Sequence, residues 1–352
     1  MVAGEYAVLE PNYPLIVTAV DRFVYATVEE CNQNLLTLKD FGLHNIRWDY
    51  DYREPYIRSN DERIKFVQEA LKVTLLYLQE RKIALPSISI TIHSNLDDQS
   101  GIKYGLGSSA AVVTAVVSSI LWKALQKAPS KQLIFKLASI AHVTTQGNGS
   151  GADIAASCYG GFLKYTSFQA TWLLTAYKNV TSLLSFVEMD WPYLSIEKFT
   201  LPANIYFYVG WTGKAASTAK LVDEILTLKS KTPVLYEMFL EQSKSAVALI
   251  FRGLKDKDPS LLYKGIERNR RCLKELGDFT NVTIETEQLK TLSEIAKQYG
   301  AAGKLSGAGG GDCGIAFTTS KQVGENMIQA WQAGGIKPLN IQPALEGVRR
   351  LE

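Results

Sequence analysis

Lys103-Tyr104-Gly105-Leu106-Gly107-Ser108-Ser109-Ala110-Ala111 places two glycines and two adjacent hydroxyls before a run of small residues. That order suits a phosphate cradle. Glycine lets the backbone turn its N–H groups toward an anion with no Cβ in the way. A helix opening at the serines adds unpaired N–H donors and the positive end of its dipole. A serine hydroxyl at the same turn is an oxygen ligand of the kind accepted by the magnesium that travels with ATP. The segment lacks the G-x-x-x-x-G-K-[ST] of a P-loop. Gly105, Gly107 and Ala110 do match G-x-G-x-x-A. A dinucleotide fingerprint also needs a strand directly before it and an acidic residue about 20 positions later. The strand-like run Ser87–Ile92 stops well short, and no Asp or Glu occurs from Gln99 to Ala152. The nicotinamide and flavin readings are therefore excluded.

Asp153 is the only acidic residue between Asp98 and Glu188. Lys103, Lys123, Lys127, Lys131 and Lys136 are the only charges between Asp98 and it. It closes Gly147-Asn148-Gly149-Ser150-Gly151-Ala152-Asp153, too glycine-rich for a helix. Two compatible roles are open to it: a carboxylate in the site, or an N-cap for the helix-like Ile154–Ser157. A third glycine-rich loop spans Lys304 to Gly314 and precedes the strand-like Ile315–Thr318. A tight turn accounts for one or two glycines, whereas Gly307, Gly309, Gly310 and Gly311 fill four of five positions. The chain is expected to pass very close to something there.

The elements that position these loops follow from periodicity. Leu15–Glu29 alternates as a strand, and Asp61–Lys82 carries Ile64, Val67, Leu71, Leu75 and Leu78 at helical spacing. Ser108–Gln126 and Ser130–Gln146 read as helices, and Gly161–Phe168 as a strand. Trp172–Pro192 is ambiguous, with aromatics that suit a core. Past Lys198 a strand at Ile205–Val209 leads into Gly210-Trp211-Thr212-Gly213-Lys214. Helices are expected at Ser217–Lys229, Val234–Leu254, Ser260–Leu276 and Glu285–Tyr299, then two strands around the last glycine loop, then a helix at Lys321–Ala333. The irregular mixture favours an α+β fold over a doubly wound sheet. A domain boundary is expected near residue 198, giving units 1–198 and 199–352.

Bulk properties restrict the function. The chain has 352 residues, 46% hydrophobic and 21% charged, with net charge +3. That predicts a soluble globular protein of about two domains and gives no electrostatic basis for nucleic-acid binding. The longest apolar run, Ala110–Trp122, is interrupted by Thr114, Ser118 and Ser119 and is too short to span a bilayer. No signal peptide is visible, and Cys31, Cys158, Cys272 and Cys313 show no metal or redox spacing. A reduced, cytoplasmic setting is expected. His44, His93 and His142 read as structural, and Arg268, Arg270 and Arg271 as a solvated helix face.

Three segments, in this order, resemble the GHMP small-molecule kinases: Ala3-Gly4-Glu5-Tyr6-Ala7-Val8, the Gly105–Ala111 loop and the Ser306–Gly311 loop. The resemblance spans nearly the whole chain. It implies an N-terminal ATP-binding domain of the ribosomal-protein type with a left-handed βαβ unit, a ferredoxin-like C-terminal domain, and an acceptor site in the cleft between them. Within the family, Asp21-Arg22-Phe23, Gly210-Trp211-Thr212 and Gly309-Gly310-Gly311-Asp312-Cys313 are most similar to the members that phosphorylate 5-phosphomevalonate. Members acting on mevalonate or 5-diphosphomevalonate, and a non-catalytic metabolite binder, stay open. The family's first motif carries a lysine that would fall two positions before Met1, upstream of the chain as given.

The resemblance implies ATP and Mg2+ as cofactors. Gly105, Leu106, Gly107, Ser108, Ser109 and Ala110 would hold the ATP phosphates, with Ser109 as the magnesium-side hydroxyl. Lys103 would screen the phosphates and Asp153 would be the catalytic aspartate. Glu5, Tyr6, Lys214, Ser217, Thr218, Gly309, Gly310 and Gly311 would serve the acceptor.

Overall fold

The computed structural model describes residues 1–96, 104–125, 127–214 and 218–351. The chain opens with β1 (Leu15–Thr18), β2 (Val24–Glu30), β3 (Leu35–Leu38), β4 (Leu43–Tyr50), β5 (Pro55–Ile57), α1 (Lys65–Glu80) and β6 (Ile88–Ser94). A helical middle follows: α2 (Ser108–Leu125), α3 (Lys131–Gln146) and α4 (Ala152–Tyr159). Then come β7 (Phe162–Thr166), α5 (Ala170–Asn179), α6 (Leu183–Glu188) and β8 (Ser195–Phe199). β9 (Tyr206–Trp211) starts a second series with α7 (Thr218–Lys231), α8 (Pro233–Lys255), α9 (Pro259–Thr280) and α10 (Glu287–Gln298). It ends with β10 (Ala302–Leu305), β11 (Cys313–Thr318), α11 (Lys321–Ala333) and β12 (Lys337–Leu339).

Short polar side chains start the helices where expected, because each accepts an amide that has no partner inside the helix. Ser130 accepts from Leu133 N ahead of α3, and Thr286 from Leu289 N ahead of α10. Asp258 accepts from two amides ahead of α9, where Pro259 occupies a first-turn position that needs no N–H.

Three sheets organise these elements, in the orders β2-β6-β3-β4-β5, β1-β7-β8 and β10-β11-β9-β12. The β3–β6 pair is parallel, and α1 lies in its crossover. The last sheet is wholly antiparallel and follows a split β-α-β order. The mixture is α+β. The expected single strand Leu15–Glu29 is instead two strands in different sheets. β1 is a partition: Leu15 and Val17 face one core, while Ile16 faces another with Val2, Ala3 and Phe162. Both of its faces are apolar, whereas β2 is half-exposed, so the chain leaves one sheet for the other between Ala19 and Phe23. The hairpin strands β3 to β5, unassigned from sequence, extend the five-stranded sheet.

Helix α2 is long and apolar enough to cross a membrane by length and composition alone. Here it is a core helix packed against α1, α3 and β2. The aromatics of the ambiguous 172–192 segment are core as well, with Trp172, Phe186 and Trp191 mutually in ring contact. After β12 the chain returns to the first series. Val20 bridges Pro343, Gly161 N donates to Ala344 O at 2.6 Å, and Val348 N donates to Ser157 O at 2.8 Å.

The first and last loops are tied by charge. Lys304 Nζ lies 2.6 Å from Glu5 Oε1, with the side chains 0% and 1% exposed. Tyr6 Oη donates to Ala308 O at 2.5 Å, and Ser306 Oγ to Met1 O at 2.8 Å. Removing one member of a buried pair strands the other charge away from water. Lys304→Met should therefore lower the unfolding free energy by about 3–5 kcal/mol, and the double exchange Glu5→Leu, Lys304→Met should restore most of it. Urea unfolding midpoints measure both; an unshifted midpoint for Lys304→Met would remove the pair from the stability of the fold.

Candidate active site

The cradle is formed as the residue types require. Ser108 opens α2, and Gly105 and Gly107 before it have φ of +74° and +80°. Those angles suit glycine and strain other residues. A Cβ at Gly105 would also fall 2.6 Å from Asp312 Cγ, so the first loop can seat against the third only without a side chain there. Tyr104 stands edge-on to Trp211, at 5.5 Å between centroids and 89°. The Tyr104 carbonyl accepts from the Cys313 thiol at 3.3 Å. Burial pushes that thiol up to about 12, which keeps its proton in place as a donor. The sheet holding β9 and β11 thus grips the base of the cradle.

Asp153 is the second residue of α4, in its first turn. The N-cap is Gly151, at φ +74°, so the capping role expected for Asp153 is not the one it has. A glycine fits there because a Cβ would press on the Phe168 ring at 2.6 Å. Its Oδ1 accepts from the first-turn amide of Ile154 at 3.0 Å, and the half-buried side chain lines the cleft beside Gly107. Ser109 Oγ lies 3.0 Å from Nε2 of His142, a residue expected to be merely structural.

The third loop passes close to protein. A Cβ at Gly309 would run into the Ile284 carbonyl, which accepts from Gly310 N at 2.8 Å. Asp312 N donates to Lys214 O at 2.6 Å, and Thr212 donates to Asp312 O through N at 2.9 Å and Oγ1 at 3.0 Å. Gly309, Gly310 and Gly311 therefore seat the loop on the 284 segment and on the Gly-Trp-Thr turn rather than facing the cleft. Ser306, Gly307, Ala308 and Asp312 line it instead.

The other expected residues are distributed as follows. Glu5 and Tyr6 are buried and engaged with Lys304 and Ala308, so they brace the site from behind; their expected direct contact with the acceptor is not what this geometry offers. Lys214 is exposed beside the third loop, and Thr218 opens α7. Lys103 and Ser217 lie outside the described residues. Arg270, expected to be solvated, is paired with Glu285 at 2.6 and 3.0 Å, with the side chains 13% and 6% exposed. That pair anchors the segment carrying Ile284. Nothing in its sequence spacing announces it, because Glu285 lies in the loop after the helix.

The resulting cleft has a volume of about 1270 Å³ and runs from the cradle past Asp153 to the third loop. Among the described residues no group of three or more His, Cys, Asp or Glu is placed to cage a metal. The oxygens of Ser109 and Asp153 suit a hard cation that arrives already bound to phosphates and keeps part of its water shell.

The chain is similar to known proteins over nearly its whole length. Residues 65–161 match the family model described as GHMP kinases N terminal domain, and residues 250–337 match GHMP kinases C terminal. The phosphomevalonate kinase of Streptomyces sp. (strain CL190) is 31% identical, over 99% of this chain and 96% of that protein. A mevalonate kinase of Pyrococcus abyssi is 27% identical over 98% and 93%. Among solved structures, the Lin0012 protein from Listeria innocua has a TM-score of 0.91 at 39% identity, covering 97% of this chain and 96% of that one. The Streptococcus pneumoniae phosphomevalonate kinase in complex with phosphomevalonate and AMPPNP has a TM-score of 0.84 at 26% identity, with the same coverage.

The contact between Gly105 and Asp312 gives a direct test. Gly105→Ala forces a Cβ into Asp312 at a positive φ, so MgATP binding should weaken by about tenfold or more, with far-UV circular dichroism unchanged. Calorimetric titration reads the affinity; an unaltered value would mean that the cradle tolerates a side chain and does not depend on this close approach.

Proposed function

We propose, from the premise that the chain belongs to the GHMP kinase family, that it transfers the γ-phosphoryl group of ATP to the phosphate of 5-phosphomevalonate, giving ADP and 5-diphosphomevalonate. The observation that carries this reading is the full-length likeness to phosphomevalonate kinases. An anion cradle with the Asp153 carboxylate beside it in one cleft supports it. The acceptor would bind in that cleft, between the units 1–198 and 199–352.

The acceptor chemistry decides what the residues must do. A phosphate monoester has a second pKa of about 6, so at neutral pH its oxygen is already the nucleophile. The harder task is to bring two polyanions into line. Positioning and charge neutralisation then dominate over proton transfer. The amides of Gly105 to Ala110 and the N-terminus of α2 hold the ATP phosphates. Ser109 and Asp153 supply the oxygens toward Mg2+, which when bound neutralises phosphate charge. Asp153 orients the cation and the acceptor rather than abstracting a proton. Lys103 screens the phosphates. Lys214, Ser217 and Thr218 receive the acceptor's anionic groups.

Transfer to mevalonate is the second reading, favoured by the likeness to archaeal mevalonate kinases. It needs an alcohol to be deprotonated, which would make Asp153 a true base. The two readings separate on pH. With 5-phosphomevalonate, kcat/KM should rise with pH through about 6 and then level, because only the dianion reacts well. Asp153→Asn should cost about tenfold, short of the roughly 100- to 10,000-fold loss of a general base, and should keep the same pH limb. Disappearance of that limb in the variant would assign it to Asp153 and favour the alcohol acceptor. ADP release measured with 5-phosphomevalonate, mevalonate and 5-diphosphomevalonate in parallel checks the acceptor itself.

Lys214→Ala should raise KM for 5-phosphomevalonate by about tenfold while leaving KM for ATP within a factor of about two. Equal increases for both substrates would remove Lys214 from the acceptor side.

A further inference from the structure

His142 projects from α3 with 2% exposure and stacks on Phe66 at 5.2 Å between centroids and 30°. Its Nε2 lies 3.0 Å from Ser109 Oγ, while Nδ1 is buried with no hydrogen-bond partner among the described residues. A neutral imidazole carries one N–H and one bare nitrogen. A proton on Nδ1 would bury a donor with no acceptor. A proton on Nε2 leaves only a bare lone pair at Nδ1, and orphaned buried donors are the rarer of the two. Nε2 therefore carries the proton and donates to Ser109 Oγ. Once its oxygen accepts from the imidazole, the hydroxyl must direct its own proton elsewhere. Ser109 is half-buried and lines the cleft beside Gly107 and Ser108, so that direction is toward the cradle.

We propose that His142 is a positioning residue that orients the Ser109 hydroxyl to donate to a phosphate oxygen of the nucleotide. One lone pair of Oγ stays available to a cation. The inference rests on the nucleotide-cradle part of the proposed function and is independent of which acceptor is used. Phe66 supports it by fixing the plane of the ring, so Nε2 is aimed rather than free to rotate.

A double-substitution cycle tests the coupling. MgATP dissociation constants would be measured by calorimetry for the parent chain, Ser109→Ala, His142→Phe and the double variant, with thermal melts as a control for folding. Each single change should weaken binding by about tenfold, the scale of one hydrogen bond to a charged group. The double variant should bind no more weakly than Ser109→Ala. His142→Gln, whose amide N–H can reach the same hydroxyl, should stay within about threefold of the parent. The 15N spectrum of the histidine-labelled parent should show the His142 proton on Nε2, and this reading needs no variant to fold. Losses that multiply in the double variant, or a proton on Nδ1, would overturn the proposal. Coupled losses together with no turnover of 5-phosphomevalonate would uphold it and overturn only the acceptor reading.

Discussion

The buried pair between Glu5 and Lys304 is the constraint on which the site depends. It joins the first motif to the strand that launches the third loop, at a point from which water is excluded. Two charges taken out of water are favourable only when each finds the other in good geometry. The pair therefore dictates where β10 ends relative to the first segment. Tyr6 on Ala308 and Ser306 on Met1 extend the same junction by neutral hydrogen bonds. With that register set, the third loop has little choice of position, and Asp312 arrives against Gly105.

Close approach is the second organising theme. The glycines of the two loops differ in purpose. Gly105 and Gly107 free the N–H groups of the cradle at positive φ, and Gly105 allows it to press on Asp312. Gly309 and Gly310 lie on the backbone at Ile284, itself held by the Arg270–Glu285 pair. The cradle is thus backed by a succession of backbone contacts and two ion pairs, rather than by one rigid element. Such backing suits a site whose task is alignment, since misplacement of reacting groups by about 1 Å can cost about a hundredfold in rate.

Charge distribution around the cleft fits two anionic substrates. Asp153 is the single acidic residue of a long cationic stretch, and α4 is capped by glycine rather than by that carboxylate. The neighbouring Ser109 is held by an imidazole instead of a second acid. The cleft lining sets Asp153, Asp312 and Glu346 against Arg22, Lys123, Arg349 and Arg350, so cations outnumber the carboxylates that would repel entering phosphates. Among the described residues the cleft offers oxygen ligands without building a metal cage in advance.

Much of this was legible in the chain itself. The cradle, the isolated Asp153, the third glycine loop and most helices follow from local rules: glycine conformational freedom, capping chemistry and apolar spacing at 3.6 residues. Those rules act between neighbours, so a linear sequence displays them. The family resemblance added the joint meaning of the three motifs. What the tertiary structure decided concerns partners distant in sequence. Leu15–Glu29 alternates like one strand, yet it splits because the faces of β1 serve two different cores. Glu5 reads as a site residue until Lys304, 299 positions away, claims it. Arg270 reads as solvated until Glu285 closes over it, and His142 reads as filler until its ring meets Ser109. In each case the side chain has several possible partners of comparable chemistry. Only packing, by excluding water from some of them, determines which one it must keep.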